Sequence, residues 1–229
     1  NSQLGQGKVT EARATLDRFA AAMPGNPVLG YYRMGFYTAT GAYDSALAVM
    51  RAAQGQTHDL SFQAGIAFTL GSLDRLRGRM ASAEQDLHEA AALSERRDLP
   101  GQALDAAGAI AGGQAIFLRD PALGLKTLDS ALRRHPLSSI PVIDRPYTTL
   151  AIAYAVAGQP AIAKRYLGEY DANTPEAIRR HSNARNWAAG YLALAEGRSR
   201  DAITAFQRAR DEASCSNCAL FELGQGYEL

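Results

Sequence analysis

Apolar residues recur along this chain at helical spacing, and no segment shows a strand pattern. A small residue is followed four positions later by a large apolar residue, and after three more by another apolar or small residue. This spacing places all three residues on one face of a helix. The series begins at Ala12, Ala46, Ala83, Gly124, Ala163 and Ala202. The pattern predicts six helices, each with one apolar face.

A turn signal precedes each of these helices. Five of the six copies carry glycine five residues before the small residue, at Gly7, Gly41, Gly78, Gly158 and Gly197. The remaining copy has Arg119 at that place and Gly124 at the place of the small residue, so we expect irregular curvature there. A second series of apolar residues, such as Leu150 and Tyr154, lies upstream of the turns. Each unit is therefore predicted to be helix, turn, helix, and stacked units supply the core.

This repetition resembles the tetratricopeptide repeat (TPR) family, whose 34-residue unit carries L-G-x-x-Y in its first helix and A-x-x-x-F-x-x-A in its second. The clearest matches are Leu223-Gly224 with Tyr227, and Ala202 with Phe206 and Ala209. The resemblance covers essentially the whole chain. It implies an all-α fold, an α-solenoid of antiparallel helix pairs wound into a right-handed superhelix of about 12 helices.

The repeat predicts a single solenoid domain over residues 1–229. Its units are expected at approximately 1–26, 27–62, 63–103, 104–143, 144–182, 183–216 and 217–229. Neither end of the chain resembles a polar capping unit. We therefore expect the chain to be a fragment of a longer polypeptide, or another chain to cover its ends.

Composition and charge argue against several classes of partner. Lys and Arg number 24 against 23 Asp and Glu, a net charge of +1, whereas a nucleic-acid-binding protein usually has a basic excess. No apolar run reaches the roughly 20 residues that a membrane-spanning helix needs. No signal peptide is recognisable, so the compartment stays open. We expect neither nucleic-acid binding nor membrane insertion.

Catalytic motifs are lacking. The segment 5–10 resembles a phosphate-binding loop only superficially, because its lysine is not followed by Ser or Thr. The four histidines, in four different units, form no metal-binding pair, and Glu84, Asp86 and Glu89 are interpreted as a solvated helix face. We therefore expect no enzyme, no cofactor and no metal site.

Cys215 and Cys218 form the one unusual local motif. Their spacing suits zinc or redox chemistry, but a zinc site needs four ligands and the chain has no second cysteine pair. The favoured interpretation is a loop between units. A redox pair or a local disulfide stays open.

The family resemblance implies that first helices line a concave groove in which partner peptides lie. By register, the partner-binding candidates in this groove are Tyr31, Phe68, Arg75, Phe117, Arg145, Thr148, Trp187, Tyr191 and Phe221. Aromatic residues and Arg suit peptide recognition. Some family members grip a terminal carboxylate with Lys and Asn, but the corresponding positions include Tyr31 and Phe68, so that clamp is not expected.

The sequence thus predicts a non-catalytic protein–protein interaction module that binds a peptide or protein in its groove. It resembles the repeat region of bacterial multidomain signalling proteins, such as serine/threonine kinases and transcriptional activators. The alternative is a structural subunit or assembly factor in a larger complex. An enzyme built on a helical scaffold is the third reading, and no converging polar cluster supports it. The oligomeric state stays open.

Overall fold

The computed structural model describes residues 2–26, 28–180, 182–213 and 219–228, and within these ranges it contains helices and no strand. Two 3-10 turns span Leu137–Ser139 and Val142–Asp144. The α-helices are α1 (Ser2–Gly5), α2 (Val9–Ala22), α3 (Leu29–Ala39), α4 (Tyr43–Gln56), α5 (Leu60–Leu76), α6 (Met80–Arg96), α7 (Pro100–Ile116), α8 (Pro121–Arg134), α9 (Tyr147–Val156), α10 (Pro160–Asn173), α11 (Glu176–Arg179), α12 (Ala184–Ala195), α13 (Ser199–Ala213) and α14 (Leu220–Glu228).

Consecutive helices pack as pairs: α3 with α4, α5 with α6, α7 with α8, α9 with α10, and α12 with α13. The first helices of neighbouring units also pack on one another, since α9 contacts both α7 and α12. This is the architecture of an α-solenoid of helix pairs, as the sequence predicted. Two of the expected unit boundaries, at 62/63 and 103/104, fall inside α5 and α7, because these helices begin at Leu60 and Pro100.

The repeat glycines have a common backbone conformation. All five have positive φ, from 69° at Gly197 to 76° at Gly41, and each precedes the second helix of its unit by two residues. Glycine adopts this left-handed conformation without steric cost. Arg119 occupies the equivalent place before α8 with a φ of 54°. The fourth turn therefore keeps the shape of the others without the glycine.

Two glycine substitutions should change stability in opposite directions. Gly158→Ala places a Cβ at a φ of 75° and should lower the free energy of unfolding by about 1–2 kcal/mol. Gly168 lies inside α10, and a Cβ added there would have no neighbouring atom within 4 Å. Gly168→Ala should therefore raise the free energy of unfolding by roughly 0.5–1 kcal/mol. Urea denaturation followed by circular dichroism measures both. If both substitutions changed the free energy of unfolding in the same direction, the left-handed turn at Gly158 would be contradicted.

The core follows the small and large apolar positions of the repeat. The small residues Ala46, Ala83, Gly124, Ala163 and Ala202 are all buried. Of the large residues that follow them, Met50, Leu87, Leu128, Leu167 and Phe206 are buried as well. The largest buried cluster runs through α7–α14, whereas α2 buries none of its residues. The first unit therefore contributes least to the apolar core.

One expectation about charged residues is wrong. Asp86 does not belong to a solvated face: it is buried, and Arg51 on α4 donates to it at 3.2 Å and to Asp74 on α5 at 3.3 Å. Arg79 donates to Asp74 at 2.8 Å. The sequence pattern missed this network because its members come from three helices. Burial, and then the neighbouring Asp74, raise the pKa of Asp86 above its usual value.

The raised pKa of Asp86 predicts the direction in which the contribution of this residue to stability changes with pH. Ionised Asp86 is less favourable in the fold than in the unfolded chain, so its contribution improves as pH falls from the raised folded pKa toward the unfolded value of about 3.9. Asp86→Asn removes that gain. The destabilisation caused by Asp86→Asn should therefore be larger near pH 4 than at pH 7, measured by urea denaturation at both. A cost that grows with pH instead would contradict the assignment.

Candidate functional site

Side chains from units that are not neighbours meet on one side of the solenoid. Arg75 on α5 acts electrostatically on Tyr191 of α12 and on Glu222 of α14, and Phe117 after α7 contacts Phe221 of α14. Such contacts require the row of first helices to curve back toward itself. The first helices therefore line the inner side of a curve, and we refer to Arg75, Phe117, Tyr191, Phe221 and Glu222 as the inner cluster.

The polar half of the inner cluster is centred on Tyr191. Its hydroxyl donates to Glu222 Oε1 at 2.7 Å, and burial beside this carboxylate raises the pKa of Tyr191 well above its usual value. Arg75 Nη1 donates to the carbonyl oxygen of Ala109 on α7 at 3.0 Å. Burial lowers the pKa of the Arg75 guanidinium, although the neighbouring Tyr191 and Glu222 oppose this.

The apolar half of the inner cluster lies at the rim. The rings of Phe117 and Phe221 lie 5.7 Å apart, centroid to centroid, at an interplanar angle of 34°. Both side chains nevertheless remain exposed, as does Leu118 beside them. They bridge α7 and α14 while leaving an aromatic surface open to solvent.

A small pocket opens next to this rim, between α5, α6 and α7. Its apolar lining includes Met80, Leu87, Ile110 and Leu118. Its polar side chains are Arg75, Glu84 and Gln114. The Gln114 amide donates to Glu84 at 2.8 Å and accepts from Thr127 at the same distance. Both the nitrogen and the oxygen of the Gln114 amide are thus engaged inside the fold.

Four of the nine predicted groove residues converge and the others do not. Arg75, Tyr191 and Phe221 belong to the inner cluster together with Phe117, a further groove position predicted by register. Tyr31 packs edge-on against Phe62, with ring centroids 5.3 Å apart. Burial raises its pKa, although a hydrogen bond to Thr69 opposes the shift. This residue therefore holds α3 against α5.

Phe68 and Trp187 are half-buried at the edge of the core. Phe68 packs against the buried Ala67, Ala90 and Ala106. The Trp187 ring lies 5.9 Å from that of Phe206. One part of each of these two side chains thus packs on the core, while another part stays accessible to solvent.

Arg145 and Thr148 lie at the start of α9. Arg145 Nε donates to the Ile140 carbonyl at 2.9 Å, and its Nη1 donates to the Tyr147 hydroxyl at 3.3 Å. These bonds fix the segment of two 3-10 turns, so Arg145 has a structural role that register alone did not indicate. Thr148 is half-buried.

Glu222 and Leu118 were missed by sequence reasoning. No local signal marks Glu222, because its partners lie on helices that are distant in sequence. Cys215, Cys218 and His181 lie outside the described residues. Within the described ranges, no group of three or more His, Cys, Asp or Glu side chains is placed to hold a metal ion, and no helix is long and apolar enough to cross a membrane.

The chain shares its fold with a solved tetratricopeptide repeat protein from Parabacteroides merdae ATCC 43184. The match has a TM-score of 0.59 at 16% sequence identity, and it covers 98% of this chain and 80% of that chain. No protein-family model matches the sequence, and no curated protein does. At this identity the likeness concerns the fold alone. The chain is therefore an all-helical, TPR-like α-solenoid.

Proposed function

We propose that this protein is a non-catalytic interaction module that binds a protein or peptide partner against the inner face formed by its first helices. One observation carries the proposal: an aromatic surface with Arg, the residue types that dominate binding hot spots, lies on the inner side of a curved row of helices. We further propose that the module is the sensor or scaffold part of a bacterial signalling protein, from the resemblance of its repeats to such tails.

The structure limits where a partner can lie. Tyr191 and Glu222 bond to each other, and Phe117 contacts Phe221, so α14 approaches both α12 and the end of α7. A partner segment running along the inner face must lie beside these contacts or displace them. The accessible surface at this place comprises the ring faces of Phe117 and Phe221, together with the pocket between α5 and α7.

Site-specific photo-crosslinking tests the proposal. A benzoylphenylalanine replaces Leu76, which is 59% exposed beside Arg75 at the end of α5. A control chain carries it at Ser130, exposed on α8, the second helix of its unit. In extract of the source organism, position 76 should give a discrete crosslinked protein and position 130 should not. Equal crosslinking at both positions, or none at position 76, would contradict the proposal.

Trp187→Ala supplies an independent check. Because Trp187 is half-buried against Phe206, its removal should reduce the crosslinked yield at position 76 while the helical circular dichroism is kept. Wholesale loss of helix would instead make Trp187 a core residue, with no separate role in binding.

A second candidate, a subunit or assembly factor in a larger complex, is favoured by α14. Its Leu220 and Tyr227 are 57% and 70% exposed. The crosslinking experiment separates the two readings, because a folded partner would crosslink from Tyr227 as well as from position 76.

A further inference from the structure

The inner cluster includes a contact that the repeat packing does not require. In a solenoid of stacked units, each unit packs on its neighbours. Phe221 on α14 nevertheless contacts Phe117, directly after α7, although the helix pairs α9–α10 and α12–α13 lie between these helices in the chain. The contact between the two rings is therefore additional to neighbour packing, and it closes the inner side of the curve.

α14 is attached to the unit before it by packing of the ordinary kind. Leu223 and Gly226 are buried, and a Cβ added at Gly226 would come within 2.9 Å of Ile203 on α13. From α12, the Tyr191 hydroxyl donates to Glu222. None of these contacts involves α7, so they do not depend on the meeting of the two phenylalanine rings.

The contact that joins α7 and α14 is weak. Phe117 and Phe221 are 39% and 48% exposed, so water competes for both rings. An aromatic pair of this kind shifts an equilibrium by roughly two- to tenfold. Arg75 acts electrostatically on Glu222, but it forms no ion pair with any described residue, and its hydrogen bond goes to the Ala109 carbonyl.

Small movements along the solenoid are enough to separate the two rings. Three unit interfaces lie between α7 and α14, and small rotations at successive interfaces add up. We propose that the Phe117–Phe221 contact is a clasp: when closed, as in this structure, it holds α7 and α14 together, and when open it admits a partner segment between them. This inference rests on the proposed function and adds the step that controls access to the inner face.

The clasp determines the affinity of the inner face. A partner that requires the open arrangement binds with an apparent Kd equal to its intrinsic Kd divided by the open fraction. Removing one ring should therefore raise the open population without removing the neighbour packing that holds α14 on α13. Phe221→Ala is the variant that does this.

Distances between two spin labels, measured by double electron–electron resonance, report the open population without any partner. The labels are attached to cysteines that replace Leu76 on α5 and Tyr227 on α14, both exposed, in a chain whose Cys215 and Cys218 are changed to Ser. The parent chain should give one main distance. Phe221→Ala should increase the population at longer distances roughly two- to tenfold.

Leu220→Ala is the matched control. It removes an apolar side chain that is 57% exposed on the same helix, and it should leave the distance distribution of the parent chain unchanged. Identical distributions in the parent chain and in Phe221→Ala, with the helical circular dichroism kept, would overturn the clasp. An equal shift in Leu220→Ala would overturn it as well, because the effect would then not come from the ring contact.

A covalent link between the two ring positions tests the effect of the clasp on binding. Phe117→Cys and Phe221→Cys are combined with Cys215→Ser and Cys218→Ser in the chain that carries benzoylphenylalanine at position 76, and a short bismaleimide joins the two new cysteines. The linked chain should give several-fold less crosslinked protein in extract than the same chain treated with N-ethylmaleimide. Equal yields would contradict the clasp.

The two experiments separate the clasp from the proposed function. Absence of crosslinking from position 76 in the wild-type chain would overturn the proposed function, and the spin-label distances would still show whether the ring contact opens. A partner that crosslinks equally well to the linked and the unlinked chain would uphold inner-face binding and overturn the clasp alone.

Discussion

Phe206→Ala should lower the free energy of unfolding by about 3–5 kcal/mol, the range for removing a large aromatic side chain from a packed core. Phe206 is completely buried. Its ring lies 5.3 Å from that of Tyr191 and 5.9 Å from that of Trp187, and it packs so closely on Gly190 that a Cβ there would come within 2.4 Å of it. Urea denaturation followed by circular dichroism measures the loss.

The control is Phe221→Ala, which removes the same side chain from the exposed rim. It should cost about 1 kcal/mol or less, because part of the ring is already in water and what is lost is mainly the contact with Phe117. Equal costs for the two variants would contradict the assignment of Phe206 to the core of the sixth unit.

Ala202→Leu should lower the free energy of unfolding by about 1–3 kcal/mol through overpacking. Ala202 has no exposed surface and lies at the start of α13, where this helix packs against α12. Three added carbon atoms have no space unless the two helices move apart. The same denaturation experiment measures the change.

Thr204→Leu is the matched control on the same helix. Thr204 is exposed and its hydroxyl bonds only to the Arg200 carbonyl within α13, so its replacement should change stability by no more than about 0.5 kcal/mol. If Ala202→Leu were as harmless as Thr204→Leu, the repeat register would be wrong.

Features with a local cause could be predicted from the sequence. The turn glycines were predictable because a left-handed residue is needed at the same place in each unit, and Ala46 or Ala202 because a helix crossing needs a small residue. The ends of α2 at Ala22 and of α8 at Arg134 agree with Pro24 and Pro136, which follow them and cannot continue a helix.

Features that depend on how distant units meet could not be predicted. Arg75 and Glu222 are 147 positions apart, from 75 to 222, and only the curvature of the solenoid brings them together. Asp86 has the spacing of a surface residue, yet Arg51 from the preceding unit draws it into a buried network. Arg145 occupies a groove position by register, but the irregular segment before α9 uses its hydrogen bonds.

Hydrogen–deuterium exchange of the chain, with and without the partner recovered by crosslinking, tests the central claim most directly. If the partner lies against the inner face, slowed exchange should be concentrated in the first helices α5, α7, α9, α12 and α14. The largest protection is expected near the last residues of α7 and the first residues of α14, where Phe117 and Phe221 meet. Protection confined to the second helices α6, α8, α10 and α13 would contradict an inner-face interaction module.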